Sequence, residues 1–187
     1  PMTPRLASLF LALAVVVGAS GAYAGDMLAK DAPRSLPSSG PVSVAWSDPA
    51  HFSDITSSGN RNAAARGDWL VQLATYMRKR ADQRIAPGNR LELTILDIQR
   101  AGRYEPWRGL SGQDIRVVRD QYPPRMVVKF RELDTGGQVV AEGERTITDP
   151  AFLLHVGSIN DSDPLRYEKR MIDSWLRREF PQSVAAR

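Results

Sequence analysis

The sequence predicts a single α+β domain of two layers: a mixed or antiparallel sheet with a β-hairpin, and two long helices packed on it. Three observations predict it. Met126 to Leu133 and Gln138 to Thr148 are rich in strand formers and are separated only by Asp134-Thr135-Gly136-Gly137, whose glycines supply the backbone angles of a tight hairpin. Residues 63–85 and 163–180 each carry an apolar stripe at intervals of three and four, the helical period. The hairpin leaves no space for the crossover helix that a doubly wound parallel sheet places between successive strands.

In chain order, Val42, Val44 and Trp46 alternate with small residues, the period of a short strand. Asp48 followed by Pro49 reads as a cap and first helical position. The first long helix is expected from Ala63 to Ile85, with Leu70, Leu73, Met77 and Ala81 inward and a basic face carrying Arg78, Lys79, Arg80 and Arg84. Pro87-Gly88-Asn89 stops it. Leu91, Leu93, Ile95 and Asp97 alternate with Glu92, Thr94, Leu96 and Ile98, which predicts a strand partly covered on both faces. Ile115 to Val118 is a short strand by composition, and Pro123-Pro124 then forces the chain out of the sheet or to its edge. Asp163 and Pro164 open the last helix, whose stripe is Leu165, Met171, Ile172, Trp175, Leu176 and Phe180.

The chain begins with a basic residue, Arg5, an apolar run from Leu6 to Val17 and the small-x-small pattern Ala22-Tyr23-Ala24, which predicts a secretory signal peptide over 1–24. Residues 25–41 mix Pro, Ser, Gly and isolated charges and read as a flexible linker. The α+β domain is expected over 42–180, and 181–187 as a disordered tail. Beyond the signal there is no transmembrane candidate, and with 0 cysteines there is neither a disulfide framework nor a thiolate metal site.

The net charge is +4, and its distribution is uneven. Residues 61–131 hold fifteen Lys and Arg against seven Asp and Glu, whereas 132–187 hold seven against ten. In an exported protein a basic half meets anionic head groups and wall polymers before it meets nucleic acid, so no nucleic-acid partner is expected.

Catalytic motifs are sparse. Gly109-Leu110-Ser111-Gly112-Gln113 lacks the final glycine of a nucleophile elbow, and no phosphate-cradling glycine loop is present, so no cofactor is implied. Asp48, His51 and Asp54 recur every three residues, a spacing that could face a metal, but each carboxylate also has a local capping role. His155 has no acidic or nucleophilic neighbour, and Glu142 and Glu144 share one strand face where solvation explains them.

Four stretches taken together, VAWSDPAHFSDI from 44, APGNRLELTILDIQRAG from 86, YEPWRG from 104 with DIRVVRDQYPPRMVVKF from 114, and LRYEKRMIDSWLRREF at the end, resemble the bacterial secreted family catalogued as domain of unknown function 3016. The resemblance covers residues 41–180 and implies location and extent, not chemistry. It also implies a second acidic residue two positions after Asp97, where this chain has Gln99. Asp97 is therefore expected to end its strand and accept from the turn at Ala101-Gly102.

Gln99 to Gln113 is a long connection carrying Tyr104 and Trp107 among Arg100, Arg103 and Arg108, flat apolar faces beside cationic forks. These five are the candidate ligand-binding residues. The alternative is that both aromatics fold back over the sheet. Arg116, Arg119 and Arg125 are expected to pair with Asp120 or with the acidic C-terminal third. The function expected is a periplasmic or secreted, non-catalytic binding or accessory module of the cell envelope, with an anionic envelope polymer or another envelope protein as partner. The alternative is a hydrolase of an envelope polymer using Asp97 or Asp120 as acid or base.

Overall fold

Strand β1 (Val42–Trp46) opens the domain, followed by a 3-10 turn (Pro49–His51), α1 (Ser53–Thr56), α2 (Arg61–Ala64) and α3 (Trp69–Asp82). Then come β2 (Arg90–Gln99), β3 (Arg103–Tyr104), a 3-10 turn (Pro106–Arg108), β4 (Arg116–Val117), β5 (Arg125–Leu133), β6 (Val139–Thr148) and α4 (Arg166–Glu179). This is a computed structural model that describes residues 26–109, 112–154 and 162–181. The signal-peptide stretch, His155 and the tail from 182 lie outside the described residues.

The main sheet has the order β1-β2-β5-β6. β1 runs parallel to β2, connected through the helical segment, while β2, β5 and β6 are antiparallel, so the sheet is mixed. The fold is the α+β arrangement expected. The hairpin connection is held by Asp134, whose Oδ1 accepts from the N–H groups of Gly136 and Gln138.

One face of the sheet is covered and the other is open. Val42, Val44, Leu91, Leu93, Ile95, Met126, Val128 and Phe130 are all buried, and with α3 and α4 they form the core. Glu92, Lys129, Arg131 and Glu142 stand exposed on the other side. On that outer side β2 is open at Glu92 but half-buried at Thr94 and Leu96, so the strand is partly covered on both faces, as its sequence suggests. Its register with β5 passes from Ile95 opposite Val128 to Asp97 opposite Val127, so Leu96 is an extra residue, a bulge. The inserted residue reverses the alternation, which returns Ile98 to the buried face.

The stretch 63–85 is two helices, not one. Gly67, at φ +82°, turns the chain between α2 and α3 through a conformation that a side chain resists, and α3 then starts afresh at Trp69. Its buried face is Trp69, Leu70, Leu73, Ala74, Met77 and Ala81. α3 packs on β1 and on α4, and the two helices are tied by Asp173, which accepts from Tyr76 Oη at 2.8 Å and from Arg80 Nε at 2.7 Å. Burial first, then the Asp173 bond, push the Tyr76 phenol up to about 12.

The segment 26–41 carries more structure than its composition suggests. Leu36 N–H donates to Val44 O and Trp46 N–H donates to Arg34 O, so residues 34–36 lie antiparallel along the free edge of β1, with Leu36 buried. Backbone pairing needs no apolar periodicity, which is why the sequence pattern did not show it. The pairing covers an edge that would otherwise offer a template to another chain.

Candidate functional site

Between β2 and β5 the chain leaves the main sheet as an arm, residues 100–118. Its β3 and β4 form a separate two-stranded antiparallel sheet. The arm is fixed at its base by a buried carboxylate. Asp54 in α1 is fully buried between Phe52 and Ile55. Its Oδ1 accepts the Arg100 backbone N–H at 2.9 Å, its Oδ2 accepts Arg100 Nε at 2.9 Å, and Arg116 of β4 closes on it through Nη2.

Both guanidiniums also bind backbone: Arg100 Nη2 donates to Ala64 O, and Arg116 donates to Ala101 O and Arg100 O. Their flat faces are covered as well, Arg100 lying 4.2 Å from the Trp69 ring centre and Arg116 5.2 Å from that of Tyr104. Two cations, one anion and three carbonyls thus lock α1, α2, β2 and β4 together. Tyr104 N–H donates to Ser58 O, and at Gly59 (φ +94°) any Cβ would lie 2.2 Å from Tyr104 O, so only glycine admits this approach. A second buried acid, Glu105, holds the outer part of the arm by accepting from Arg119 Nη2 and Tyr122 Oη.

The five candidate binding residues are divided by this architecture. Arg100 and Tyr104 belong to the buried base of the arm. Arg103 in β3 is half-buried, and its Nε is enclosed without a hydrogen-bond partner. Trp107 stands 66% exposed in the Pro106–Arg108 turn, the turn that also contains Arg108. The two aromatics therefore have opposite roles: Tyr104 packs, and Trp107 is displayed. Ile115 and Val118, on the same arm, are also exposed.

The ion pairs differ from those expected. Arg116, Arg119 and Arg125 pair with Asp54, Glu105 and Asp97, not with Asp120 or the C-terminal third. Asp97 does not cap the Ala101-Gly102 turn either. The bulge turns it toward α1, where its two oxygens accept the Ser53 N–H and Oγ–H at 2.7 Å each, serving a helix start whose own N-cap residue, Phe52, supplies no side-chain acceptor. Asp120 is exposed and accepts the N–H of Gln121. Asp48 caps the first 3-10 turn through Ala50 N–H and lies 3.5 Å from His51 Nδ1, whereas Asp54 is committed to its arginines. Among the described residues no group of three His, Cys, Asp or Glu is arranged to hold a metal ion.

The backbone of the arm's first turn is held by a residue that sequence reasoning passed over. Glu168, in the first turn of α4 and buried, accepts the Ala101 N–H through Oε1 at 2.6 Å. Its Oε2 is enclosed without a hydrogen-bond partner. Burial raises its pKa, outweighing the Ala101 bond, the carboxyl's interaction with its own backbone N–H, and the nearby Arg100 and Arg116. The signal was its position: Glu168 falls between Leu165 and Met171 on the apolar stripe of α4.

Glu168 lines a cleft of about 190 Å³ together with Arg66, Trp69, Gln72, Arg100 and Arg116. A second hollow, of about 450 Å³, lies between the end of α3 and the end of α4. Neither Asp97 nor Asp120 lines either one.

Fold and arm define a single-domain α+β protein in which a small, salt-bridged second sheet projects from a helix-covered mixed sheet. The chain belongs to the family described as Protein of unknown function (DUF3016), whose profile matches residues 40–178. Comparison with curated proteins and with solved structures gives no match.

Proposed function

We propose that the protein is an exported, non-catalytic binding or accessory module of the cell envelope that engages an anionic envelope polymer through the tip of the 100–118 arm. The observation that carries this is Trp107, a tryptophan two-thirds exposed on an arm whose base is fixed by buried ion pairs. A rigid support lets an aromatic platform bind without first ordering a loop. Arg108, the next residue in sequence, adds charge. The alternative of a hydrolase finds less support, because Asp97 and Asp120 serve local structure and neither lines either of the two clefts described above.

A display role and a packing role separate on mutation. Trp107→Ala is expected to change stability by less than about 1 kcal/mol, as for other surface substitutions, while retention on immobilised anionic envelope polymer falls. Arg108→Ala is expected to weaken retention further and flatten its salt dependence, since a screened charge contact is lost. A Trp107→Ala protein that melts much earlier, or one that is retained as well as wild type, overturns the assignment.

Export rests on the sequence pattern at residues 2–24. No helix among the described residues is long and apolar enough to cross a membrane. Residues 1–24 fused to a reporter are expected to direct it through the general secretory route with cleavage after Ala24. Mass spectrometry that finds the amino terminus still at Met2 rejects the export half of the proposal.

A further inference from the structure

The cleft beside the base of the arm is a second place where chemistry converges, independent of Trp107. Three guanidinium-bearing residues line it, Arg66 from the α2–α3 connection, Arg100 from the end of β2 and Arg116 from β4. Arg66 is the exposed one, 3.7 Å from Asp114, while Arg100 and Arg116 are held in place by Asp54. Fixed arginines recognise a planar or tetrahedral oxyanion with little further loss of side-chain freedom.

Glu168, 1% exposed, lines the same cleft. Oε1 already accepts from Ala101 N–H and Oε2 has no hydrogen-bond partner, so in the protonated form that burial favours the proton would sit on the free oxygen. A buried O–H without an acceptor is costly, and a ligand oxygen removes that cost. Charge points the same way. Asp54 is the one carboxylate paired with both buried arginines, so whenever Glu168 is protonated this cluster carries two cations against one anion.

We propose that this cleft binds a small oxyanion, the carboxylate or phosphate group of a ligand, through the Arg100–Arg116 pair and the unpartnered Oε2 side of Glu168. Its size suits such a group rather than a whole cofactor, since pockets for drug-sized ligands start at roughly 300 Å³. The charged groups facing Glu168 are Arg100 and Arg116, with Asp54 of α1 bound to both. Asp68 lines the cleft too, but its Oδ1 is engaged by Gln72 Nε2 at 2.6 Å. An ionised Glu168 would place a negative charge against the ligand, so affinity must fall as pH rises through its titration.

The test titrates the full chain with succinate and, separately, with inorganic phosphate at several pH values, following the Trp69 indole N–H by NMR. Binding is expected at low pH and should weaken by roughly tenfold per pH unit once Glu168 ionises. In Glu168→Gln the amide oxygen can still accept from Ala101 and the NH₂ group can still donate to the anion, so binding persists and its pH dependence flattens. The titration of each ligand itself is common to both proteins and cancels in the comparison. A response to succinate alone, to phosphate alone or to both supports the site and names its chemistry. No response to either anion, or wild type and Glu168→Gln with the same pH profile, overturns it. Neither result bears on the Trp107 tip.

Discussion

Asp54→Ala is expected to lower stability by about 3–5 kcal/mol, the range for removing one partner of a buried charge pair. The size follows from what is left behind. Arg100 and Arg116 are 13% and 16% exposed, so without Asp54 two guanidiniums remain in a site largely closed to solvent, hydrogen-bonded among the described residues to backbone carbonyls alone. The Arg100 backbone N–H is orphaned as well. Because that bond is where the arm leaves β2, loss should be regional: amide exchange should accelerate through residues 100–118 before it does in β5 or α4.

Buried ion pairs can often be replaced by apolar residues at little cost, and a triple change of Asp54, Arg100 and Arg116 tests whether that holds here. It should rescue only part of the loss. The arginines also satisfy Ala64 O, Ala101 O and Arg100 O, and an apolar replacement leaves those three acceptors without their donors. Denaturant midpoints of the single and triple variants measure both effects. An Asp54→Ala protein within about 1 kcal/mol of wild type, the range of surface substitutions, would show that the arm is held by something else.

How much of this was legible in the sequence depends on the range of the interaction. The stripes of α3 and α4, the hairpin at Asp134 and the cap at Asp48 are local, and their periods and turn residues were enough to place them. The break at Gly67 was also written locally, in a Gly-Asp pair inside the helical pattern, but periodicity overrode it. The bulge at Leu96 had no local signal, since it arises from pairing with β5, and one inserted residue sent both Asp97 and Ile98 to destinations that strict alternation forbids.

Partners were the least legible feature. The sequence showed that 100–125 is rich in arginine and identified the loop, yet Arg100 and Arg116 find an acid 46 and 62 residues away, and Ala101 one at 67. Charge type narrows the choice of partner but topology makes it. The three-residue spacing of Asp48, His51 and Asp54 suggests local capping, a role that Asp48 fills and Asp54 does not. Its place between two apolar residues, Phe52 and Ile55, was the better indication of burial. Glu168 on an apolar stripe carried the same message, and a charge at core spacing is the pattern to search for in related chains.

Trp175→Ala is expected to cost about 3–5 kcal/mol, as for a buried aromatic truncated to a methyl group. Trp175 is 2% exposed at the centre of the core, with ring centres 6.5 Å from Phe130 of β5 and 6.0 Å from Phe180 at the end of α4. Phe130 and Phe180 meet edge to face at 5.6 Å, so the three rings form one cluster joining the last helix to the sheet. Removing the central ring leaves a cavity that two others cannot fill without leaving their own contacts. The indole carries one penalty of its own, however, because Nε1 is buried without a hydrogen-bond partner. Trp175→Phe keeps most of the aromatic surface and removes that N–H, whose burial costs about 1–3 kcal/mol. The two effects oppose each other, and the phenylalanine variant should therefore lie much closer to wild type than the alanine variant in chemical denaturation. Equal losses for Phe and Ala would mean that the indole N–H is satisfied, by water or by rearrangement, and that the whole ring is required rather than its volume alone.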